Sequence, residues 1–401
     1  MKILYVCHRF PFPPKRGGKI RPFNMIRHLS KHHRVTVASL VRSDAEAAEA
    51  AGLAEHCHRF EMGRVSDPVQ TLRMVARLPT ATPSSLGYFY SAPLARRIED
   101  LLAQERYDLI FVHCSSVAQY VERVTDVPKI LDFGDMDSQK WLEYAHYKPF
   151  PLSLGYALEG RKLEREERRL AKRFDMCTTT TRGEWETLES YRSGVATDWF
   201  PNGVDSETFA PADAPYDPDT LVFVGRMDYY PNQECMFDFC DNVLPRLQSR
   251  RPGIRLAIVG ADPSAAVTRL QDRPGVTVTG SVPDVRPHAL RAAVMVAPLN
   301  IARGTQNKIL EGMAMGLPVV ASRVAARGVD AQADAHLRVA DTPDEYVSEI
   351  LRILDDPNER ERLSRAARAR MLSHHAWPAS MVRLDGIIER CLASARQRAA
   401  A

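Results

Sequence analysis

Lys308 and Glu311 lie three residues apart behind Gly304, and residues of these types at this spacing could do chemistry. In a helix, positions i and i+3 project from one face, so an ammonium and a carboxylate would stand side by side. Gly304, at a loop-to-helix junction, would leave backbone N–H groups and the positive end of the helix dipole facing an anion, with Thr305 beside it. Gly316-Leu317-Pro318 would end that helix, and Val319-Val320-Ala321 would begin a buried strand. A helix start for phosphate, a cation beside it and a carboxylate one turn on suit a nucleotide diphosphate and its ribose. The same spacing also describes an ordinary core helix with a solvated Lys–Glu pair, so other motifs must decide.

Phe223-Val224-Gly225-Arg226 is a strand end followed by glycine and a cation. Ligands of open α/β sheets bind at such carboxyl ends; Gly225 permits close approach and Arg226 can fork onto phosphate oxygens. The alternative for Arg226 is an ion pair with a nearby acid. Pro14-Lys15-Arg16-Gly17-Gly18 follows the first strand, and its paired glycines would let main-chain N–H groups face a ligand or simply form a tight turn. No G-x-G-x-x-G follows any expected strand, which weighs against a dehydrogenase. His113 ends another apolar strand, and Asp132-Phe133-Gly134-Asp135-Met136-Asp137-Ser138 ends the next. In that string Asp137 or Ser138 would cap a helix, while Asp135 could face an acceptor hydroxyl. Asp284 is expected to cap a later helix.

Positioning these residues requires strands alternating with helices, and the pattern supplies them. Apolar runs at 2–7, 34–39, 108–113, 129–132 and 176–180 read as buried parallel strands, with helices at 20–30 and 93–104 between them. A charged helix at 154–173 would be a solvated surface element. A second series runs through 221–224, 255–260, 276–280, 294–298 and 319–322, and helical patterns at 345–355, 358–373 and 378–398 close the chain. The stretch 209–219, with three prolines and three acids, reads as the joint between two consecutive doubly wound α/β domains.

A chain of 401 residues exceeds one ordinary core, and 45% apolar with 26% charged residues describes a globular protein. Nothing approaches the roughly 20 apolar residues that span a bilayer. The opening run 3–7 is shorter than the about 7–15 residues of a signal-peptide core. Seven cysteines without a C-x-x-C pair indicate neither a disulfide framework nor a zinc site, and a cytoplasmic setting is expected. Ten bases precede the first acid at Asp44, interleaved with Phe10, Phe12 and Phe23. Contact with an anionic membrane surface, or with a phosphate-bearing acceptor, is expected of that stretch. Nucleic acid is not, because no binding module accompanies it.

Together the motifs resemble glycosyltransferase family 4. Phe200-Pro201-Asn202-Gly203-Val204-Asp205 with Phe209 and Pro211 is similar to the family's N-G-V-D…F-x-P string, and the Gly304–Glu311 block to its donor-binding block. Asp135–Trp141 and Arg303–Lys308 look like a subgroup associated with bacterial exopolysaccharide assembly. The resemblance implies a GT-B fold, with an N-terminal acceptor-side domain at 1–195 and a nucleotide-sugar-binding domain at 196–376, facing across a cleft. A last helix at 377–401 would return to the N-terminal domain. It implies metal-independent, retaining glycosyl transfer from a UDP- or GDP-sugar to a glycan or polyprenyl-diphosphate-linked acceptor, with no cofactor. Arg226, Lys308 and His113 would be catalytic; Gly17, Gly18, Gly225, Arg303, Gly304, Thr305 and Glu311 would bind donor; Lys15, Arg16 and Asp135 would face the acceptor. Two departures stand out: no lysine follows Arg226 in Met227–Asn232, and Arg303 occupies a position where the family carries a glutamate. A sugar-nucleotide epimerase of the same fold, or a non-catalytic nucleotide-sugar-binding component, are the alternatives.

Overall fold

The computed structural model describes residues 1–14, 17–213 and 215–400. The chain divides into two compact units: Met1–Phe200 with Met381–Ala401, and Pro201–Ser380. Residues 209–219, read above as the joint, therefore lie inside the second unit. Their acids do structural work there, Asp217 pairing with Arg255 and Asp219 with Arg251.

The first unit holds a seven-stranded sheet in the order β3-β2-β1-β4-β5-β6-β7, with every pair parallel. The strands are β1 (Lys2–Cys7), β2 (Arg34–Val41), β3 (Arg59–Arg64), β4 (Leu109–His113), β5 (Lys129–Gly134), β6 (Met176–Thr179) and β7 (Ala196–Trp199). The central strands are continuous apolar runs because helices cover both faces, and Ile3, Leu4, Tyr5, Ile110 and Phe111 are fully buried. From Met381 the helix Trp377–Ala400 belongs to this unit, where Leu384, Ile387 and Ile388 are buried and His28 Nε2 meets Asp385 at 2.9 Å.

The second unit is a six-stranded parallel sheet ordered β10-β9-β8-β11-β12-β13. Its strands are β8 (Asp217–Val224), β9 (Arg255–Val259), β10 (Val276–Val278), β11 (Ala292–Ala297), β12 (Val319–Ala321) and β13 (Arg338–Val339). In both sheets the order reverses between two central strands, β1 and β4 in one, β8 and β11 in the other. Outside the carboxyl ends of such a pair, loops diverge to opposite faces and leave a crevice. Each sheet thus creates one ready-made site, and the sequence has placed its candidates there.

The N-terminal basic stretch folds differently from expectation. Phe10 and Phe23 are buried, Lys2 pairs with Glu105, Lys19 with Glu46, and Arg21 is buried against Asp132. Three of its bases are thus neutralised by carboxylates from elsewhere in the chain, while Arg27, Lys31 and Arg34 stay exposed.

Candidate functional site

In the second unit, β8 delivers Gly225 and Arg226 to the crevice, and the loop after β11 delivers residues 298–306 and the helix Asn307–Ala314. Three parts of the sequence meet there. Lys308 Nζ donates to Asn232 Oδ1 at 2.6 Å, while Asn232 Nδ2 donates to the Arg226 carbonyl at 2.7 Å. Glycine at 225 lets these side chains come close, because a Cβ would stand 2.8 Å from Asn232 Nδ2 and 3.2 Å from Lys308 Nζ and one of them would have to move. Gly260, following β9 at φ +150°, is packed against the Gly225 carbonyl so closely that a Cβ would lie 1.9 Å from that oxygen. Lys308 also lies over the Phe223 ring, 4.4 Å from its centroid, which favours the ammonium.

Burial pushes the Lys308 ammonium down to about 8, although Cys235 and Glu311 pull the other way. Burial pushes Glu311 up to about 7, opposed by Lys308. Both groups are thus held near neutrality, poised for a ligand that supplies the missing charge or hydrogen bonds. Gly304 is buried with φ +62°, and no side chain caps the helix Asn307–Ala314, so its first N–H groups point out of the turn. The Thr305 hydroxyl is buried without a hydrogen-bond partner, and a buried orphan of this kind calls for an occupant. Arg303 lies in the same loop, its carbonyl accepting from Gln306 Nε2 at 3.1 Å.

Arg226 takes the alternative its sequence left open. Its guanidinium forks onto Asp228, at 3.1 and 2.7 Å, and also contacts Asp262. The side chain is 48% exposed, so these pairs contribute under about 1 kcal/mol and a phosphate can displace them. Asn232 was missed in sequence. It ends the stretch 227–232, which lacks the lysine of the resembled family, and its side chain accepts from Lys308 near the strand end. Asp284 does not take the cap position expected of it, which falls to Val285; two residues before the helix Arg286–Leu290, it accepts from Arg286 N at 2.9 Å.

In the first unit, His113 ends β4 and His8 follows β1, with ring centroids 5.8 Å apart. His113 Nδ1 lies 2.8 Å from Asp132 Oδ2. Asp132 is wholly buried; burial alone would raise its pKa, but Arg21 and the His113 hydrogen bond pull it well below the usual carboxylate range. An ionised carboxylate only accepts, so His113 carries its proton on Nδ1 and turns Nε2 away from Asp132. Arg21 grips the same carboxylate through Nε at 2.9 Å and a terminal nitrogen at 3.2 Å, and Thr178 donates at 3.0 Å. Asp132 opened a strand-end string and Arg21 was one of the N-terminal bases, yet neither was assigned a role, because only the fold brings positions 21 and 132 together. Burial, with repulsion from His113 and Arg9, keeps His8 neutral, and its Nδ1 is buried without a partner.

Gly17 and Gly18 open the helix Gly17–Leu29, and both are exposed. A cavity of about 370 Å³ lies nearby, lined by Arg9, Lys19, Arg42, Ser43, Glu46 and Glu49 among others. Lys15 and Arg16 lie outside the described residues. Asp135 is tethered by Thr180 Oγ1 at 2.6 Å. Neither Asp137 nor Ser138 caps its helix. Ser138 is buried, donating to Glu167 and lying 3.3 Å from the Tyr191 hydroxyl, because the long helix Leu152–Ala171 packs its Glu167 against that turn.

With this geometry in place, the relatives become informative. Residues 218–356 match the family described as Glycosyl transferases group 1. The D-inositol 3-phosphate glycosyltransferase of Frankia alni is 30% identical over 187 residues, 41% of this chain and 46% of that protein. The chain thus spans less than half the length of the curated relative it matches. The Anabaena Alr3699/HepE structure in complex with UDP superposes with a TM-score of 0.69 at 15% identity, covering 97% of this chain and all of that one. Sucrose-phosphate synthase from Thermosynechococcus elongatus gives 0.69 at 16% identity, over 98% of this chain and 100% of its own. At such identities these likenesses speak for the fold, which is GT-B.

Proposed function

We propose that this chain is a retaining glycosyltransferase that moves a sugar from a UDP- or GDP-sugar to a glycan or polyprenyl-diphosphate-linked acceptor in cell-surface polysaccharide assembly. One observation carries the reading: Gly225, Lys308 and an uncapped helix N-terminus converge on the switch-point crevice of the second unit. The group 1 match across residues 218–356 and a neighbour solved with UDP support it.

In the reaction, the bond from the anomeric carbon to the diphosphate oxygen breaks and its electron pair leaves with the diphosphate. Lys308, the amides of Gly304 and Thr305, and Arg226 after release from Asp228 would stabilise that growing charge. Glu311 would accept hydrogen bonds from the ribose hydroxyls. Arg303, in the position of the family glutamate, would lie toward the transferred sugar. The acceptor hydroxyl attacks on the face the diphosphate leaves, and a phosphate oxygen takes its proton. On the acceptor side, Asp132 locks His113 so that Nε2 is available to a sugar hydroxyl, Asp135 lies at the neighbouring strand end, and the Arg9–Lys19–Arg42 cavity suits a phosphate-bearing acceptor.

A thermal-shift panel of UDP-, GDP-, ADP- and dTDP-sugars identifies the donor. Glu311→Ala is expected to weaken its binding strongly, and Arg226→Ala chiefly to lower turnover. Unchanged kinetics in both variants refutes the assignment, and an isomer formed from donor alone marks an epimerase instead.

A further inference from the structure

Nine of the fifteen large apolar side chains that stand exposed among the described residues fall within two short segments of the first unit. On the helix Asp67–Arg77 and its end, Val69 is 50% exposed, Leu72 70%, Val75 54% and Leu78 50%. At three-residue spacing each neighbours the next, so the row winds obliquely along the helix to its C-cap at Leu78. In the second segment Phe150 is 81% exposed, Leu154 63% and Leu158 47%, at intervals of four along the start of the helix Leu152–Ala171. Lys162, one turn beyond Leu158, joins the two segments. Its buried ammonium donates to the Leu78 carbonyl at 2.7 Å and the Arg77 carbonyl at 3.3 Å. Close by, Ser85 N donates to Glu159 at 2.9 Å.

We infer that this combined face docks on the surface of an anionic lipid bilayer. Charge decides the partner. Residues 67–80 and 143–162 contain Arg73, Arg77, Lys148 and Arg161 besides the buried Lys162, against Asp67, Glu143 and the buried Glu159. Apolar and aromatic side chains standing out of the surface, flanked by more bases than acids, match the acyl–headgroup boundary of an anionic leaflet. A protein-binding core would instead be depleted of charge. Long arginine and lysine stems let the heads reach phosphate while the apolar row inserts. The face is separate from the glycosyl-transfer residues and does not depend on that reading. It also differs from the N-terminal basic stretch, where Lys2, Lys19 and Arg21 are paired internally.

The test is sedimentation of the full chain with phosphatidylcholine vesicles with and without phosphatidylglycerol. Binding is expected only to the anionic vesicles and should weaken with salt. Replacing Leu72 and Phe150 together by serine should lower it about tenfold or more, and Arg161→Ala about fivefold. These side chains are exposed, so the variants should keep the wild-type melting temperature and bind nucleotide normally. Absence of vesicle binding by the wild type, or undiminished binding by the double variant, overturns the proposal. So does a dimer in solution that the double variant dissolves, because the face would then cover a second copy.

Discussion

Nucleotide-sugar binding should exchange protons with the medium, in opposite directions on the two sides of neutrality. Glu311 is raised to about 7 by burial and Lys308 lowered to about 8. If ribose hydroxyls donate to Glu311 and diphosphate sits beside Lys308, binding returns both to near their ordinary values. At pH 6 the free protein holds about 0.9 of a proton on Glu311, and binding releases it. At pH 8.5 Lys308 is about three-quarters deprotonated, and binding takes up roughly 0.75 of a proton. The two effects cancel near pH 7.5, roughly midway between the two values. Proton release on the acid side means affinity rises with pH up to about 7, and uptake on the alkaline side means it falls above about 8. Titration calorimetry in buffers of different ionisation enthalpy, using the strongest binder of the nucleotide-sugar panel, reads both numbers directly. Glu311→Gln should abolish the release at pH 6 and leave the uptake at pH 8.5. Proton exchange of constant sign, or acid release that survives in Glu311→Gln, refutes the assignment of this pair to the donor.

Asn232→Ala removes the bridge between the Arg226 carbonyl and Lys308 and should cost about 1 kcal/mol of nucleotide affinity, roughly fivefold by calorimetry, with the fold retained. Asp132→Ala leaves Arg21 charged and buried without its partner, and urea unfolding should show a loss of about 3–5 kcal/mol. Because the folded-state pKa of Asp132 is depressed, its contribution is present above the ordinary aspartate range and lost as pH falls below it; acid unfolding of the wild type, absent as a separate step in the variant, checks the sign. Gly260→Ala drives a Cβ into the Gly225 carbonyl at a backbone angle other residues rarely adopt, and should cost more than about 3 kcal/mol or abolish soluble expression.

Central strands were legible because burial on both faces demands unbroken apolar runs: β1, β4, β8 and β11 stand within a few residues of where the pattern puts them. Three strands escaped, β3, β7 and β13, and all three are sheet edges. An edge strand needs less apolar surface, so Arg59-Phe60-Glu61-Met62-Gly63-Arg64 carries no run to detect. The joint was misplaced for a related reason. Proline and aspartate mark linkers in general, but here Asp217 and Asp219 find arginines on the neighbouring strand and helix end.

By itself, the sequence determined which strand ends are marked as candidates, because a glycine, a cation or a histidine there interrupts an otherwise apolar run. Gly225, His113 and the Gly304–Glu311 helix are all local patterns, readable within a dozen residues. Only the tertiary structure decided who their partners are. Arg21 meets Asp132 across 111 positions, and Lys308 meets Asn232 across 76. Pairing of that kind depends on strand order, and it is burial in the finished fold that shifts Lys308 and Glu311 toward each other's range. Charge in a sequence is only potential; desolvation and the nearest opposite charge determine whether a side chain becomes a buried strut, as Arg21 does, or stays poised for a ligand.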